Sequence, residues 1–312
     1  MAATTELASW RDGATREAIL RFVRSVSDAG PEFVPASERI ATFDNDGTLW
    51  CEKPAYVQAD FVLRKWEAMA AADPALAERQ PYKAVVEGDR EWLGSMLEHV
   101  PELMQGVSEA FGGITPDAFD QQVAAFFAQA EHPTLHVPYA QTVYRPMREL
   151  LALLEAHDFR VFICSGGGRD FARPISEDLY GIPRERVIGT SPPVEYRDGG
   201  LIRGPGVEQP VDDGPGKPAH IWSRIGRLPL FAAGNADGDV EMLSLARFSL
   251  LVHHDDADRE FAYDTGAERA LAEGEARGWT VASMKQDFAT VFGSEPDDTA
   301  HAAAAVATAR DD

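Results

Sequence analysis

The fold is decided by a short run near the N-terminus, Ile40-Ala41-Thr42-Phe43-Asp44-Asn45-Asp46-Gly47-Thr48. Its first four residues are apolar or β-branched, which predicts a short buried strand. Two acidic residues follow at once, and in an open α/β sheet ligands bind at the carboxyl ends of the strands. We therefore expect Asp44 and Asp46 to lie at a functional edge of a sheet.

Strand-like runs alternate with helical patterns along most of the remaining chain. The predicted strands cover residues 160–164, 187–189, 228–233, 248–252 and 279–283. This alternation predicts an α/β fold, a Rossmann-like and mainly parallel sheet with helices on both faces. An Asp-Gly turn at 198–199, between strand-like runs at 194–196 and 201–203, predicts a β-hairpin in addition.

The segment between the first two strands has a different pattern. From residue 51 to residue 139 strand signals disappear, and helical patterns recur between prolines and glycines. We expect residues 51–139 to form an all-helical insert, with a core made of residues 1–50 and 140–294. Residues 295–312 are rich in Ala, Thr and Asp, which predicts a disordered acidic tail.

Charge and hydropathy narrow the classes of function. The 51 acidic residues outnumber the 29 basic residues, and the formal charge of -22 repels nucleic acid and anionic membrane surfaces. An anionic substrate would need a local cationic group or a metal ion. Residues 1–10 lack the regions of a signal peptide, and no run approaches the ~20 apolar residues of a membrane span. These features predict a soluble cytoplasmic protein, and they leave its oligomeric state open.

The acid pair has two interpretations. Close carboxylates raise each other's pKa unless a cation joins them, and Mg²⁺ prefers oxygen ligands. The alternative is a simple Asp-Asn-Asp-Gly turn that caps the next helix. The longer pattern Asp-x-Asp-Gly-Thr is expected by chance in on the order of one such chain in several hundred, which favours a functional site.

Three later stretches add candidate ligands. Ser165 and the amide of Gly166 follow a predicted strand and suit phosphoryl oxygens, although a glycine run there is more often a flexible turn. Lys217 lies in a Gly-Lys-Pro sequence, where a lone lysine is usually solvated. The acids of residues 237–239 resemble part of a calcium loop, but the other ligand positions of an EF-hand are missing.

The run from Phe43 to Leu49 resembles the first motif of the haloacid dehalogenase superfamily, most of whose members are phosphatases. The other three stretches follow in the superfamily's order. The resemblance implies a Mg²⁺-dependent phosphomonoesterase that acts on a small phosphorylated metabolite. It assigns Asp44 as the nucleophile, which forms an aspartyl-phosphate, and Asp46 as the general acid and base.

The resemblance also implies the groups that hold the phosphate and the metal. Phosphate binding falls to Ser165, Gly166 and Lys217. The implied metal ligands are Asp44, Asp46, Asn235 and Asp239, the last either directly or through a neighbouring ligand. Most relatives carry an acid at the position of Asn235, so this amide should weaken metal affinity.

Within the superfamily, the chain is most similar to the phosphoserine-phosphatase branch, in which the helical insert is a cap domain. That branch has a cap glutamate for the substrate amine, but the candidate here, Glu52, is one position out of register. A phosphotransferase and a non-catalytic binding protein that retains the fold remain alternatives, the latter encouraged by Asn235. Carbon–halogen and phosphonate hydrolases are disfavoured, because they lack the acid at Asp46. His253 and His254 follow a predicted strand, which could place one of them near the carboxyl edge of the sheet, but the expectation is an ordinary pair of loop histidines.

Overall fold

A computed structural model of the protein describes residues 6–293, and the predicted tail at 295–312 lies outside the described residues. The strands of the described part are β1 (Ile40–Phe43), β2 (Arg160–Gly168), β3 (Val187–Thr190), β4 (Val194–Arg197), β5 (Gly200–Arg203), β6 (Phe231–Gly234), β7 (Phe248–His253) and β8 (Thr280–Ser283). Six of them form one sheet in the order β3-β2-β1-β6-β7-β8, in which every neighbouring pair is parallel. The predicted α/β sheet is confirmed.

The helices of the described part separate these strands. They are α1 (Ala14–Ser27), α2 (Val57–Ala72), α3 (Tyr82–Glu87), α4 (Arg90–Gly94), α5 (Val100–Phe111), α6 (Pro116–Gln129), α7 (Arg145–Ala156), α8 (Arg169–Tyr180), α9 (Gly216–Ile225), α10 (Val240–Leu245), α11 (Glu268–Arg277) and α12 (Met284–Asp287). Within residues 6–293, none of them combines the length and the apolarity that a membrane span requires.

Apolar side chains cover both faces of the sheet. Consecutive residues of a strand point to opposite faces. In β1, Ile40 belongs to one buried apolar cluster, whereas Ala41 and Phe43 belong to a second and larger one. The central strand is therefore buried on both sides, which explains why it reads as a continuous apolar run.

Helices α2 to α6 lie between β1 and α7, and we call residues 51–139, which contain them, the helical insert. Its core is aromatic: the ring of Phe61 in α2 lies 5.1 Å from that of Phe111 in α5 and 5.4 Å from that of Phe126 in α6. Phe61 also lies 5.3 Å from Phe171 in α8. The insert thus packs against a helix that directly follows β2.

The hairpin of β4 and β5 is present where the Asp-Gly turn predicts it. It also contacts the helical insert through main-chain hydrogen bonds. The amide of Arg203 donates to the carbonyl of Ile114, and the amide of Gly113 donates to the carbonyl of Arg203. The hairpin therefore fastens the insert to the segment that leads to Lys217.

Two strands differ from the prediction by more than one residue at an end. The second strand continues to Gly168 rather than ending at residue 164, because after an irregularity Gly168 pairs with Thr190 of β3. The strand predicted from residue 228 begins at Phe231, since Pro229 carries no N–H for the ladder and Leu228 is exposed. The glycine run at 166–168 is therefore held in the sheet and is not a flexible turn.

Candidate active site

The carboxyl ends of β1, β2 and β6 bring the predicted site residues together. Phe43 pairs with Ile163 on one side and with Ala233 on the other, and the amide of Asp44 donates to the carbonyl of Ala233 at 2.9 Å. Because parallel strands end at the same edge, the residues just beyond these positions lie side by side. They are Asp44, Ser165 and Asn235.

Lys217 enters this edge from the first turn of α9, and its side chain is only 2% exposed. Its ammonium donates to Asp44 Oδ1 at 2.6 Å, to Asp239 Oδ1 at 2.7 Å and to the carbonyl of Cys164 at 2.8 Å. Burial alone would lower the pKa of Lys217, but the two carboxylates raise it well above its usual value. The side chain is therefore a fixed, buried positive charge.

Asp44 and Asp46 are in an environment that disfavours their charged forms. Burial and the carboxylate of Asp239 raise the pKa of Asp44 well above its usual value, although Lys217 acts in the opposite direction. Burial also raises the pKa of Asp46 to about 6, partly offset by a hydrogen bond from Trp50. Near neutral pH, Asp46 is thus close to the point at which it can both give and take a proton.

A tight turn fixes Asp46 beside the nucleophile position. Gly47 has a φ of 72°, and its amide donates to the carbonyl of Trp50 at 2.9 Å. The indole Nε1 of Trp50 donates back to Asp46 Oδ1 at 2.8 Å. A side chain at Gly47 would also collide with Asn235, whose Nδ2 lies 2.0 Å from the position of a Cβ. The turn therefore needs glycine for its conformation and for its space.

Asp239 holds the loop after β6 in shape. Its Oδ2 accepts hydrogen bonds from the amides of Asn235 and Ala236 at 2.9 and 3.0 Å, while its Oδ1 accepts from Lys217. Both oxygens of Asp239 are thus engaged by the protein. Asp239 was predicted to act on the metal either directly or through a neighbouring ligand. The arrangement agrees with the second alternative.

Two of the predicted phosphate-binding residues, Ser165 and Gly166, lie in the C-terminal part of β2. Ser165 is buried, and its hydroxyl accepts a hydrogen bond from the amide of Gly167 at 3.1 Å. A Cβ at Gly167 would lie 3.5 Å from Asp46 Oδ2, and one at Gly166 would lie 3.7 Å from Asp213 Oδ1. The glycine run therefore brings its main chain close to the acids without filling the space between them.

The comparison with protein families decides the identity of this arrangement. A model described as haloacid dehalogenase-like hydrolase matches residues 41–244, a span that holds every site residue described above. The chain belongs to this family. The resemblance inferred from the motifs is thereby confirmed at the level of the family.

Solved structures with a similar course of the chain are distant in sequence. A conserved protein of unknown function from Anaerococcus prevotii is 14% identical with a TM-score of 0.56, over 86% of this chain and 91% of that one. A protein of unknown function from Bordetella pertussis is 18% identical with a TM-score of 0.49, over 78% and 97%. A phosphoserine phosphohydrolase-like protein from Francisella tularensis is 14% identical with a TM-score of 0.42, over 80% and 95%. No curated protein matches the chain. The Anaerococcus structure supports the hydrolase fold alone.

The hydrolase site has the charge and the ligand types for a hard cation. The carboxyl groups of Asp44 and Asp239 share the ammonium of Lys217, and the carboxyl group of Asp46 lies nearby, so the acids outnumber this one cation. In the described residues, no three acidic, histidine or cysteine side chains converge as a metal site. A cation here would therefore combine the carboxylate of Asp44 with amide and main-chain oxygens.

Asn235 can supply such an amide oxygen to a cation. Its Oδ1 accepts from the hydroxyl of Thr48 at 3.1 Å, and its Nδ2 is buried without a hydrogen-bond partner. Because the threonine hydroxyl can donate or accept, the amide can also turn so that Oδ1 takes the unpartnered position. The residues present are thus compatible with Mg²⁺, with Asn235 as a neutral ligand.

Three residues near the hydrolase site were missed by the sequence patterns. Trp50 binds Asp46, and Gln58 of α2 accepts from the amide of Gly168 at 2.7 Å. His254 differs from the expected loop residue: it is 3% exposed and contacts the carbonyl of Gly47. No local motif marks Gln58 or His254, since both reach the site from elements that are remote in sequence.

Proposed function

We propose that the chain is a Mg²⁺-dependent phosphomonoesterase that acts on a small phosphorylated metabolite of the cytoplasm. The observation that carries the proposal is the buried Asp44 carboxylate, paired with Lys217 and flanked by Asp46 and Ser165 at the carboxyl edge of the sheet. Membership of a hydrolase family supports it. A carboxylate in this position is a nucleophile that splits one hard displacement into two easier ones.

In the first step, an oxygen of Asp44 attacks phosphorus in line, and the bond from phosphorus to the ester oxygen breaks. Asp46 gives its proton to the leaving alkoxide. The products of this step are a free alcohol and an aspartyl-phosphate. The pKa of about 6 at Asp46 supports this role, because a useful fraction of the acid form is then present near neutral pH.

In the second step, Asp46 takes a proton from water, which attacks the same phosphorus. The bond between phosphorus and Asp44 breaks, and inorganic phosphate leaves. The ammonium of Lys217, the hydroxyl of Ser165 and the amide of Gly166 offset the negative charge on the phosphoryl oxygens. Bound Mg²⁺, held by Asp44, the carbonyl of Asp46 and Asn235, would supply further charge neutralisation.

The helical insert is proposed to act as a cap that excludes water and selects the substrate. Gln58 supports this, since it links α2 of the insert to the amide of Gly168 in the glycine run. Glu52 shares its carboxylate with the protein: Oε1 accepts from the hydroxyl of Tyr263 at 2.7 Å and lies 3.5 Å from the ammonium of Lys53. Together with the position of Glu52 out of register, these contacts argue against phosphoserine as the substrate.

Two other functions use the same groups. A phosphotransferase would pass the phosphoryl group from Asp44 to an alcohol instead of water, and the shape of the insert would decide between them. A non-catalytic binding protein is encouraged by Asn235, which lowers the charge available to a metal. The pKa of Asp46 favours an enzyme, because a binding site gains nothing from a poised proton.

The test is turnover of p-nitrophenyl phosphate and of a panel of alkyl phosphomonoesters, with and without Mg²⁺. We expect hydrolysis that requires Mg²⁺ and that disappears in Asp44→Asn while the thermal unfolding transition stays cooperative. Added methanol or glycerol as acceptor separates the two enzymes, since a phosphotransferase forms a new ester and releases less inorganic phosphate. Unchanged turnover in Asp44→Asn would refute the nucleophile, and no turnover of any ester would favour the binding protein.

A further inference from the structure

A buried histidine lies beneath the turn that carries Asp46. His254 follows β7 directly and is 3% exposed. Its Nε2 lies 2.8 Å from the carbonyl oxygen of Gly47, and its Nδ1 lies 3.1 Å from Glu260 Oε2. The imidazole thus joins the residue next to Asp46 to a buried acid that contacts no part of the reaction described above.

Each ring nitrogen of His254 faces a group that accepts hydrogen bonds. The carbonyl of Gly47 has no proton to give. Glu260 Oε2 also accepts from its neighbour's amide, Phe261 N, at 2.7 Å, and Oε1 accepts from the hydroxyl of Tyr144 at 2.8 Å and from Cys51 Sγ at 3.1 Å. So many donors around one carboxyl group stabilise its ionised form.

The pKa of Glu260 agrees with the number of hydrogen-bond donors around its carboxyl group. Burial alone would raise the pKa of Glu260, but the hydrogen bond and the charge of His254 bring it below its usual value. The Nε2 atom of His254 faces a carbonyl oxygen, so its contact with Gly47 is a hydrogen bond in which the imidazole donates. The contact between Nδ1 and Glu260 holds the ring in this orientation.

We propose that His254 is a positioning residue of the active site, held by Glu260 and donating from Nε2 to the carbonyl of Gly47, so that the Asp46 carboxyl stays aligned for proton transfer. The inference rests on the proposed phosphatase function, in which Asp46 moves the proton. His254 itself touches neither Asp44 nor Asp46 in the hydrogen-bond network of the described residues.

The effect passes through the turn at Gly47. The main chain of Gly47 is held at two points. Its N–H donates to the carbonyl of Trp50, and its carbonyl accepts from His254. Trp50 in turn binds Asp46 Oδ1. Without His254 the Gly47 carbonyl loses its partner, the turn can rotate, and the contact between the indole and Asp46 lengthens.

The other titratable groups around the imidazole do not compete for its protons. The ring of Tyr263 stacks on it at 4.5 Å, and that of Tyr144 lies at 6.1 Å. The hydroxyl of Tyr263 is bound to Glu52, and that of Tyr144 to Glu260. Glu260 is therefore the acid that contacts the imidazole of His254 directly.

The first test needs no enzyme activity. In the intact protein labelled with ¹⁵N-histidine, NMR should show a proton on Nε2 of His254, because this nitrogen faces the carbonyl of Gly47. The signal is assigned by its loss in His254→Gln. A wild-type His254 whose Nε2 carries no proton overturns the proposal.

The second test compares His254→Gln with His254→Asn. Both remove the ring, but the longer Gln can place its amide nitrogen near the position of Nε2, within reach of Gly47, and Asn cannot. We expect the NMR signal of the Trp50 indole N–H to move in the Asn variant and to stay near its wild-type position in the Gln variant. An unmoved signal in a folded Asn variant contradicts the link to Asp46.

Kinetics supply a readout that a merely structural role would not give. His254→Asn should slow alkyl phosphate hydrolysis by about 10²-fold. For p-nitrophenyl phosphate, whose leaving group scarcely needs a proton, we expect less than about tenfold. His254→Gln should restore most of the difference. Equal losses on both substrates in both variants would overturn the proposal. If the wild type hydrolyses no ester, the proposed function fails, and the two NMR tests still decide the role of His254.

Discussion

Lys217 and Asp44 form a buried ion pair, with 2.6 Å between Nζ and Oδ1, at the point where the central strand of the sheet ends. The same ammonium lies 2.7 Å from Asp239. One positive charge therefore supports both the proposed nucleophile and the acid that shapes the loop after β6.

Replacing Lys217 by Met should remove turnover and destabilise the fold. The change leaves two buried carboxylates without their cation, for which a loss of about 3–5 kcal/mol is typical. Urea unfolding at pH 8 measures it, and Lys83→Met, at an exposed helical position, is the matched control with an expected change below about 1 kcal/mol. Equal unfolding free energies for the two variants would contradict the importance of this pair.

Asp46→Asn should separate two kinds of substrate. An alkyl ester needs a proton on its leaving oxygen, so its hydrolysis should fall by about 10²-fold or more. The reaction of p-nitrophenyl phosphate should fall much less. Steady-state rates on both esters measure the effect, with Asp44→Asn as the control that loses both. Similar losses on the two esters in Asp46→Asn would show that Asp46 is not the general acid.

The raised pKa of Asp46 predicts how stability changes with pH. Because the folded state binds this proton more tightly than the unfolded state, the charged form costs stability as pH rises from near 3.8 to about 6. Without Mg²⁺, the free energy of unfolding of Asp46→Asn should rise relative to that of the wild type as the pH passes through this interval, by on the order of 2 kcal/mol. Above the interval the difference between the two proteins should stay constant. Denaturant titrations between pH 4 and pH 8 are the measurement, and a gain that appears only above pH 7 contradicts the assignment.

Asn235→Asp should strengthen metal binding. A carboxylate attracts Mg²⁺ more strongly than an amide oxygen, so the concentration for half-maximal activity should fall by about tenfold. Calorimetric titration with Mg²⁺ gives a second reading, and kcat is left open. Asn45→Asp adds the same charge next to Asp44 and should have a smaller effect. Identical Mg²⁺ dependence in Asn235→Asp and the wild type would remove Asn235 from the ligand set.

The fold and the meeting of the motifs could be predicted from the sequence, because both follow from local patterns. The run 40–43 predicts a buried strand, and parallel strands end at one edge, so Asp44, Ser165 and Asn235 had to be neighbours. The family is confirmed on the same residues. The roles given to these residues remain predictions, since they concern a reaction rather than a fold.

The supporting contacts could not be predicted from local residue patterns. A lysine in a Gly-Lys-Pro loop is usually solvated, and Lys217 was assigned beside Asp44 through the family resemblance; its second contact, with Asp239, needed the tertiary structure. The contacts of His254 with Gly47 and of Gln58 with Gly168 also needed it. These contacts join elements that lie far apart in the chain, and no periodicity or spacing encodes such a pairing.

The central place of β1 also has a consequence for biosynthesis. One of its two neighbours in the sheet, β6, is Phe231–Gly234 and is synthesised long after it. At about 5–20 residues per second, a ribosome reaches Ala233 roughly 10 to 40 s after Asp44. For most of that interval the nascent chain carries an apolar strand with an open edge and an acid that has not yet met Lys217. The candidate site is therefore assembled only when the second half of the sheet closes around a residue that was synthesised well before it.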